Sequence, residues 1–454
     1  MKPTDYATAY ASWGRVPRST PARVERLRPE ADALPASSEG LTENSPERSM
    51  LAYGRGRSYG DACLNNGGTL LDTSALGRVL AWDAETGVVR CEAGVTLAEL
   101  LAFAVPRGWF LPVTPGTKFV TVGGALANDV HGKNHHRDGT FGRFVPRFEL
   151  WRSTGEKLVC SAEENAGLYR ATIGGLGLTG LVRWADVRLL PVTSDRIDMR
   201  RERFSSLDDF FRINAEANAR SRYTVAWIDT TATGPSLGRG LYIEGDHAPG
   251  PPDGSALPEP GTAMEPFVRV PFDAPGGLLN RFTVRAFNSA YWRQQLKPVF
   301  EKRVPYEPFF YPLDAVGAWN RLYGRRGLLQ YQFVVPHEEG HGAVRALLDR
   351  IATSGEASFL AVLKTFGDVA SPGMLSFPRP GVTLALDFPN RGERTRRLFR
   401  ELDALVVEAG GRLYPAKDAC MTAADFRRFY PEWEAFRAYV DPAFSSSFWR
   451  RVTG

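Results

Sequence analysis

Three glycine-bearing stretches hold most of the chemistry in this chain of 454 residues. The first is Gly54-Arg55-Gly56-Arg57-Ser58-Tyr59-Gly60-Asp61. Without Cβ atoms, successive backbone N–H groups can turn inward and make a concavity for an anion. Arg55 and Arg57 add positive charge there. The second runs from Gly116-Thr117 through Thr121-Val122-Gly123-Gly124 to Asn128-Asp129-Val130-His131-Gly132-Lys133-Asn134. Its small residues let a flat ring or a diphosphate approach the backbone, with His131 and Lys133 beside it. The third, Gly175-Leu176-Gly177-Leu178-Thr179-Gly180, spells the G-x-G-x-x-G pattern of dinucleotide folds.

That pattern has meaning only between a strand and a helix. After Gly60 only DACLNNGG precedes the next strand, too little for a crossover helix. After Gly180, LVRWADVRLLPV alternates as a strand does. Both observations argue against a nicotinamide-binding domain, and plain tight turns remain the alternative for either loop alone. His131, His135 and His136 could suggest a metal, but no nearby cysteine or paired carboxylate completes a ligand set, so none is expected. On residue type alone, Trp227 and Tyr311 read as core, Gln330 and Gln332 as a polar strand face, and Lys417 as a solvated charge at a helix start.

The elements that must position these groups are also legible. Residues 49–190 read as short strands with Gly-rich turns and one clear helix, TLAELLAFA, announced by a Thr96/Glu99 capping box and stopped by Pro106 and Gly108. From 195 the pattern is strand, helix (SLDDFFRINAEANA), strand (YTVAWIDTT), as in an antiparallel α+β unit. LLQYQFVVP, FLAVLKTFG and VTLALDFP read as further strands. RTRRLFRELDALVVEA reads as a helix ended by Gly410 and Gly411, and the aromatic tail as helical. Residues 246–277 are rich in Pro and Gly, and two readings stay open: with FNSAYW they form a mobile, apolar entrance, or they are a floppy loop far from any pocket.

Composition bounds the function. With 43% hydrophobic and 24% charged residues the chain is an ordinary globular one. Its net charge is only +5, and its arginine clusters alternate with Glu and Leu, so a solvated helix face is favoured and no nucleic acid is expected as partner. Cys63, Cys91, Cys160 and Cys420 form no motif and read as reduced thiols of a cytoplasmic protein. No signal peptide and no stretch of about 18 apolar residues is visible, which leaves peripheral contact as the expected limit of membrane association.

The order GRGRSYGD, PGT, TVGGALANDVHGKNHH, GGLGLTG resembles flavoproteins of the vanillyl-alcohol-oxidase type. With HGKNHH, LQYQF and RLYPAKD, it is similar to the branch acting on lipid-linked pentoses, from about residue 50 to the end. The resemblance implies an α+β, two-subdomain FAD-binding fold with an inserted antiparallel-sheet substrate domain: FAD-binding parts at 1–194 and 412–454, a cap at 195–411. It implies that Gly54 to Asp61 wrap the diphosphate. Gly116, Thr117, Thr121 to Gly124, Asn128 to Gly132 and Asn134 would line the flavin and its ribityl chain, with Val182 and Tyr414 completing the site. Many relatives tether FAD through a His in G-x-G-H-S; Arg57 stands at that place, so non-covalent FAD is expected.

By the same resemblance Lys417 sits beside flavin and substrate as phosphate ligand, charge stabiliser or base. His131 and Lys133 face that pocket, Gln330 and Gln332 bind sugar hydroxyls, Tyr311 and Trp227 form apolar walls, and Lys364 lies near the anionic end. The implied reaction is FAD-dependent oxidation of the 2-hydroxyl of a polyprenylphosphoryl pentose. A separate NAD(P)H-dependent reductase would complete an epimerisation serving cell-wall arabinan. An oxidase of free sugars or aldonolactones, or a non-catalytic flavin-binding scaffold, are the alternatives. Members of that branch carry Asn and Cys where this chain has Thr383 and Ala385, so covalent capture by nitroaromatic inhibitors should fail here while oxidation persists.

Overall fold

The computed structural model describes residues 3–35, 46–251, 257 and 266–454. The chain is α+β, built on three large sheets. A three-stranded parallel sheet sets Thr69–Asp72 between Arg23–Arg26 and Met50–Tyr53. Parallel neighbours need a long connection. Here residues 54–68 supply it as a loop, without the helix a dinucleotide fold would place there.

A five-stranded antiparallel sheet follows, in the order Val79–Asp83, Val88–Glu92, Leu181–Arg188, Arg147–Trp151, Lys157–Ser161. The helix Leu97–Ala104 packs beside it and starts as its residues dictate. The Thr96 hydroxyl accepts from the Glu99 N–H at 3.2 Å, and the Glu99 carboxylate accepts from the Thr96 N–H at 2.7 Å. Gly108, at φ 80°, ends the short turn that follows.

The largest sheet has eight antiparallel strands. From one edge they are Val299–Pro305, Arg196–Phe204, Gly240–His247, Tyr223–Ile228, Ala361–Phe366, Gly381–Pro389, Leu328–Val335 and Arg412–Leu413. Side chains alternate across a strand. Leu329, Tyr331 and Phe333 therefore join Leu384 and Leu386 in a buried core under the helices Leu207–Arg220, His337–Ser354 and Glu393–Glu408. Gln330, Gln332, Ala385 and Asp387 point to the opposite face.

Several elements differ from the sequence reading. His337–Ser354 is a full helix that Gly340 and Gly342 concealed, and both glycines are tolerated inside it. Val122–Ala127 is a short helix despite its Gly-Gly pair. A Cβ at Gly123 would sit 3.0 Å from that of Ala93, so close packing rather than propensity selected glycine. FNSAYW lies in an ordered helix, Arg281–Arg293, capped by Asn280, and is not a loose entrance. Of the Pro/Gly-rich stretch, residues 252–256 and 258–265 lie outside the described ones. Lys417 stands in a turn at 415–417, not at a helix start.

Candidate active site

One cavity of about 810 Å³ is lined by residues from all three sheets, including Ala52, Val182 and Gln330. The 54–61 loop forms part of its wall. A Cβ on Gly54 would lie 2.5 Å from Thr121 Oγ1, and Gly56 adopts φ 57°, so neither place tolerates a side chain easily. The turn carrying Lys417 lies directly on this loop. Tyr59 N–H donates to Ala416 O at 3.0 Å, and a Cβ on Gly60 would come within 1.6 Å of Asp418 O. Arg451 locks the two from behind, holding Asp61 at 2.7 Å and Asp418 at 2.9 Å. Lys417 Nζ consequently sits 4.0 Å from the centre of the Tyr59 ring.

The 128–134 segment is fixed from outside the cavity. Asp129, fully buried at φ 39°, accepts from Gly142 N–H at 2.8 Å and from Ser371 and Ser376 hydroxyls at 2.5 Å each. Tyr414 donates its hydroxyl hydrogen to Asn128 O at 2.8 Å, and Asn134 Nδ2 donates to Pro112 O at 2.7 Å. With its backbone held there, the segment turns His131, Gly132 and Lys133 to the cavity. His131 Nε2 accepts from Gln332 Nε2 at 3.1 Å. Lys364 Nζ donates to Gly132 O at 3.2 Å, and Lys133 Nζ to Phe310 O at 3.1 Å.

Burial governs the charges. It lowers Lys133 to about 8. Lys364 falls to about 7 through burial and then through Lys133 and Lys417. Burial also lowers Lys417, against the pull of Asp387. Asp387 is raised by burial, against the hydrogen bond from Gln330 and the charge of Lys417. His131 is pushed well below its ordinary value by burial, Lys364, His135 and Lys417, and stays neutral. With Nε2 accepting, its proton sits on Nδ1.

These residues suit a large, partly anionic, partly flat ligand. Arg57 Nε, His131 Nδ1, Gln330 Oε1 and Asp387 Oδ2 are buried without a hydrogen-bond partner. Such groups are normally paired, so the cavity presents unmet polar capacity along its wall. Arg57, flanked by the Trp13 ring at 4.4 Å and the Phe119 ring at 5.4 Å, is a permanent cation beside the glycine loop. The glycine cradle with its arginine fits a diphosphate, and the His131 and Gln330 groups fit the polar edge of a ring such as that of FAD.

The cavity brings together most of the residues singled out from sequence. Lys417, His131, Lys133, Gln330, Gln332, Lys364 and Trp227 all line it, as do Gly54 to Tyr59, Gly116, Thr117, Thr121, Gly123, Gly124, Asn128, Val130, Gly132, Val182 and Tyr414. Six residues lie behind that lining instead. Tyr311 is no wall: its hydroxyl bonds Thr114 Oγ1 at 2.7 Å, and Thr114 is the residue that faces the cavity. Gly60 and Asp61 make the contact with the lysine turn, Val122 is core, and Asp129 and Asn134 brace their own segment. Among the departures, Ala385 lines the cavity, while buried Thr383 accepts from Gln332 at 3.4 Å. Sequence reasoning missed Asp387. Its signal was an acid two positions beyond Ala385 on the same face of an apolar strand. It also missed Phe359, which with Phe287 and Tyr291 of the expected FNSAYW stretch adds an apolar section to the lining.

Residues 43–161 match the family model of the FAD binding domain. Decaprenylphosphoryl-β-D-ribose oxidase of Mycolicibacterium smegmatis is 36% identical, over 100% of this chain and 99% of that protein. An uncharacterised protein of Streptomyces coelicolor is 34% identical over 79% of this chain and its own full length. Human Δ(24)-sterol reductase is 30% identical over only 25% of this chain and 22% of its own.

Proposed function

Since the chain belongs to the decaprenylphosphoryl-β-D-ribose oxidase family of FAD-dependent oxidoreductases, we propose that it oxidises the 2-hydroxyl of a polyprenylphosphoryl pentose to the 2-keto sugar. FAD, which the cavity-lining residues Gly54 to Tyr59, Thr121 to Gly124 (except Val122) and Asn128 to Gly132 (except Asp129) would hold non-covalently, would supply the two-electron acceptor for the hydride of the carbinol carbon. The chain's own residues do the rest. Lys417 and Asp387 line the same cavity, and burial weakens both charges against their mutual attraction, so one of them takes the hydroxyl proton at neutral pH. Gln330 and Gln332 orient sugar hydroxyls, and His131 offers its Nδ1–H to a polar acceptor. Trp227, anchored by its Nε1 to Phe359 O at 2.8 Å, keeps water from one wall.

The observation that carries this reading is the set of three half-buried lysines, 133, 364 and 417, whose charge is weakened by their surroundings, on one cavity that also has an apolar section. Buried cations are costly unless an anion joins them. A phosphoryl group with a lipid tail meets both features, whereas a free sugar or aldonolactone meets neither. The three- and five-stranded sheets (1–194) with the returning tail (412–454) would hold FAD, and the seven strands of the large sheet that fall within 195–411 the substrate, the tail adding the eighth strand, Arg412–Leu413. A separate NAD(P)H reductase would consume the keto sugar.

A substrate series tests this. The kcat/KM should fall by at least about 100-fold from a polyprenylphosphoryl pentose to the same pentose without phosphate, the loss of a charge-assisted contact made by the cavity lysines. Equal or better turnover of free sugars or aldonolactones would overturn it.

A further inference from the structure

Ten large apolar side chains are exposed among the described residues, and eight of them fall between positions 267 and 300. Phe267 is 76% exposed, Phe272 68%, Phe282 82% and Leu296 85%. Scattered single cases are ordinary, but such concentration marks an interaction surface. The stretch is built onto the molecule. Val268–Arg269 pairs with Val316–Gly317, Trp292 Nε1 donates to Phe204 O at 3.0 Å, and Gln295 Nε2 donates to Arg201 O at 3.1 Å. The surface continues into the cavity, because Phe287 and Tyr291, stacked at 5.8 Å on the helix Arg281–Arg293, line it.

Its charge decides the partner. Exposed Arg269, Arg281, Arg285, Arg293 and Lys297 make no ion pair among the described residues. The one acid in 266–300, Asp273, is held by Arg15 at 2.6 Å. A second copy docking face to face would set these cations against their equals, which costs binding. An anionic bilayer receives both features at once: aromatic and aliphatic side chains enter the interface while Arg and Lys meet lipid phosphates. No helix among the described residues is long and apolar enough to cross a membrane, so the contact is peripheral.

We propose that residues 266–300 form a docking surface for an anionic lipid bilayer and hold the cavity against it. Delivery of a lipid-linked substrate through this face rests on the function proposed above; docking itself does not.

The test uses holoprotein and vesicles without substrate. Co-sedimentation with phosphatidylglycerol vesicles should exceed that with phosphatidylcholine vesicles and weaken as salt rises. The double variant Phe282→Ser/Leu296→Ser and the triple variant Arg281→Gln/Arg285→Gln/Lys297→Gln should each bind at least about tenfold more weakly. Their flavin spectra should match wild type, which shows that they fold. Absent binding, equal binding to both lipids or unaffected variants would overturn the proposal. So would a wild-type dimer in sedimentation velocity that the variants dissociate, since a second copy would then cover the face. Vesicle binding as expected, together with no oxidation of any lipid-linked pentose, would sink the proposed function and leave docking intact.

Discussion

At the scale of residues, the site works through burial acting on charge. Lys364 sits at about 7 and Lys133 at about 8, so both lose their protons in the range where enzymes are assayed. Both values lie below the ordinary lysine range, so the unfolded chain holds more protons than the folded one between about pH 7 and 10. Without ligand, the cost of these cations is therefore full below the folded values and relieved as pH rises through them. Binding of a phosphoryl group runs the other way, because it needs the charged forms. KM for a phosphorylated substrate should rise from pH 7 to 9 in wild type, and Lys364→Met should raise KM at pH 7 and flatten that slope. A pH-independent KM in wild type would count against phosphate binding by these lysines. Chemical type singled out His131 and Lys133 in the sequence, whereas Gln330 and Gln332 read alone as a polar strand face and entered the site only through the family resemblance. Tyr311 reads as core on residue type and is buried behind Thr114; its place as a wall came from the resemblance alone, and Asp387 was missed because an acid in an apolar strand looks like an interruption until its neighbours 383 and 385 are seen beside it.

At the scale of elements, the contact between the 54–61 loop and the 415–418 turn decides whether a lysine meets the cofactor site at all. Gly60→Ala would drive a methyl into Asp418 O, a clash between two backbones that cannot relax cheaply, costing about 3 kcal/mol. Thermal unfolding of the flavin-bound protein should register this as a lower midpoint, together with weaker flavin retention. Arg451→Met would leave Asp61 and Asp418, both nearly inaccessible, without their cation and should destabilise by roughly 3–5 kcal/mol in urea unfolding. A near-neutral result in either variant would show that the loop and turn are held by something else. Elements with strong local signals were legible: the Thr96/Glu99 box, the alternating strands and the glycine stop at Gly410, which has φ 62°. The helix His337–Ser354 was not, since its glycines and charged first turn mask a stripe of Val344, Leu347, Leu348 and Ile351. Nor was the loop crossover between parallel strands, which depends on packing that local patterns do not record.

At the scale of the whole molecule, three sheets meet around one cavity, and the chain's tail returns to close it. With Arg57 where a tethering histidine would stand, acid precipitation of the holoprotein should release its flavin to the supernatant; flavin retained in the pellet would contradict non-covalent binding. The resemblance to a family supplied this architecture more than periodicity did, because neither the sheet order nor the convergence of residues 57, 131, 364 and 417 follows from local sequence. That convergence is most directly tested by anaerobic mixing of yellow holoprotein with polyprenylphosphoryl pentose, followed by absorbance. Wild type should bleach with one equivalent of substrate, while Lys417→Met, still yellow, should bleach about 10²–10⁴-fold more slowly. Bleaching of both at the same rate, or of neither, would contradict the account.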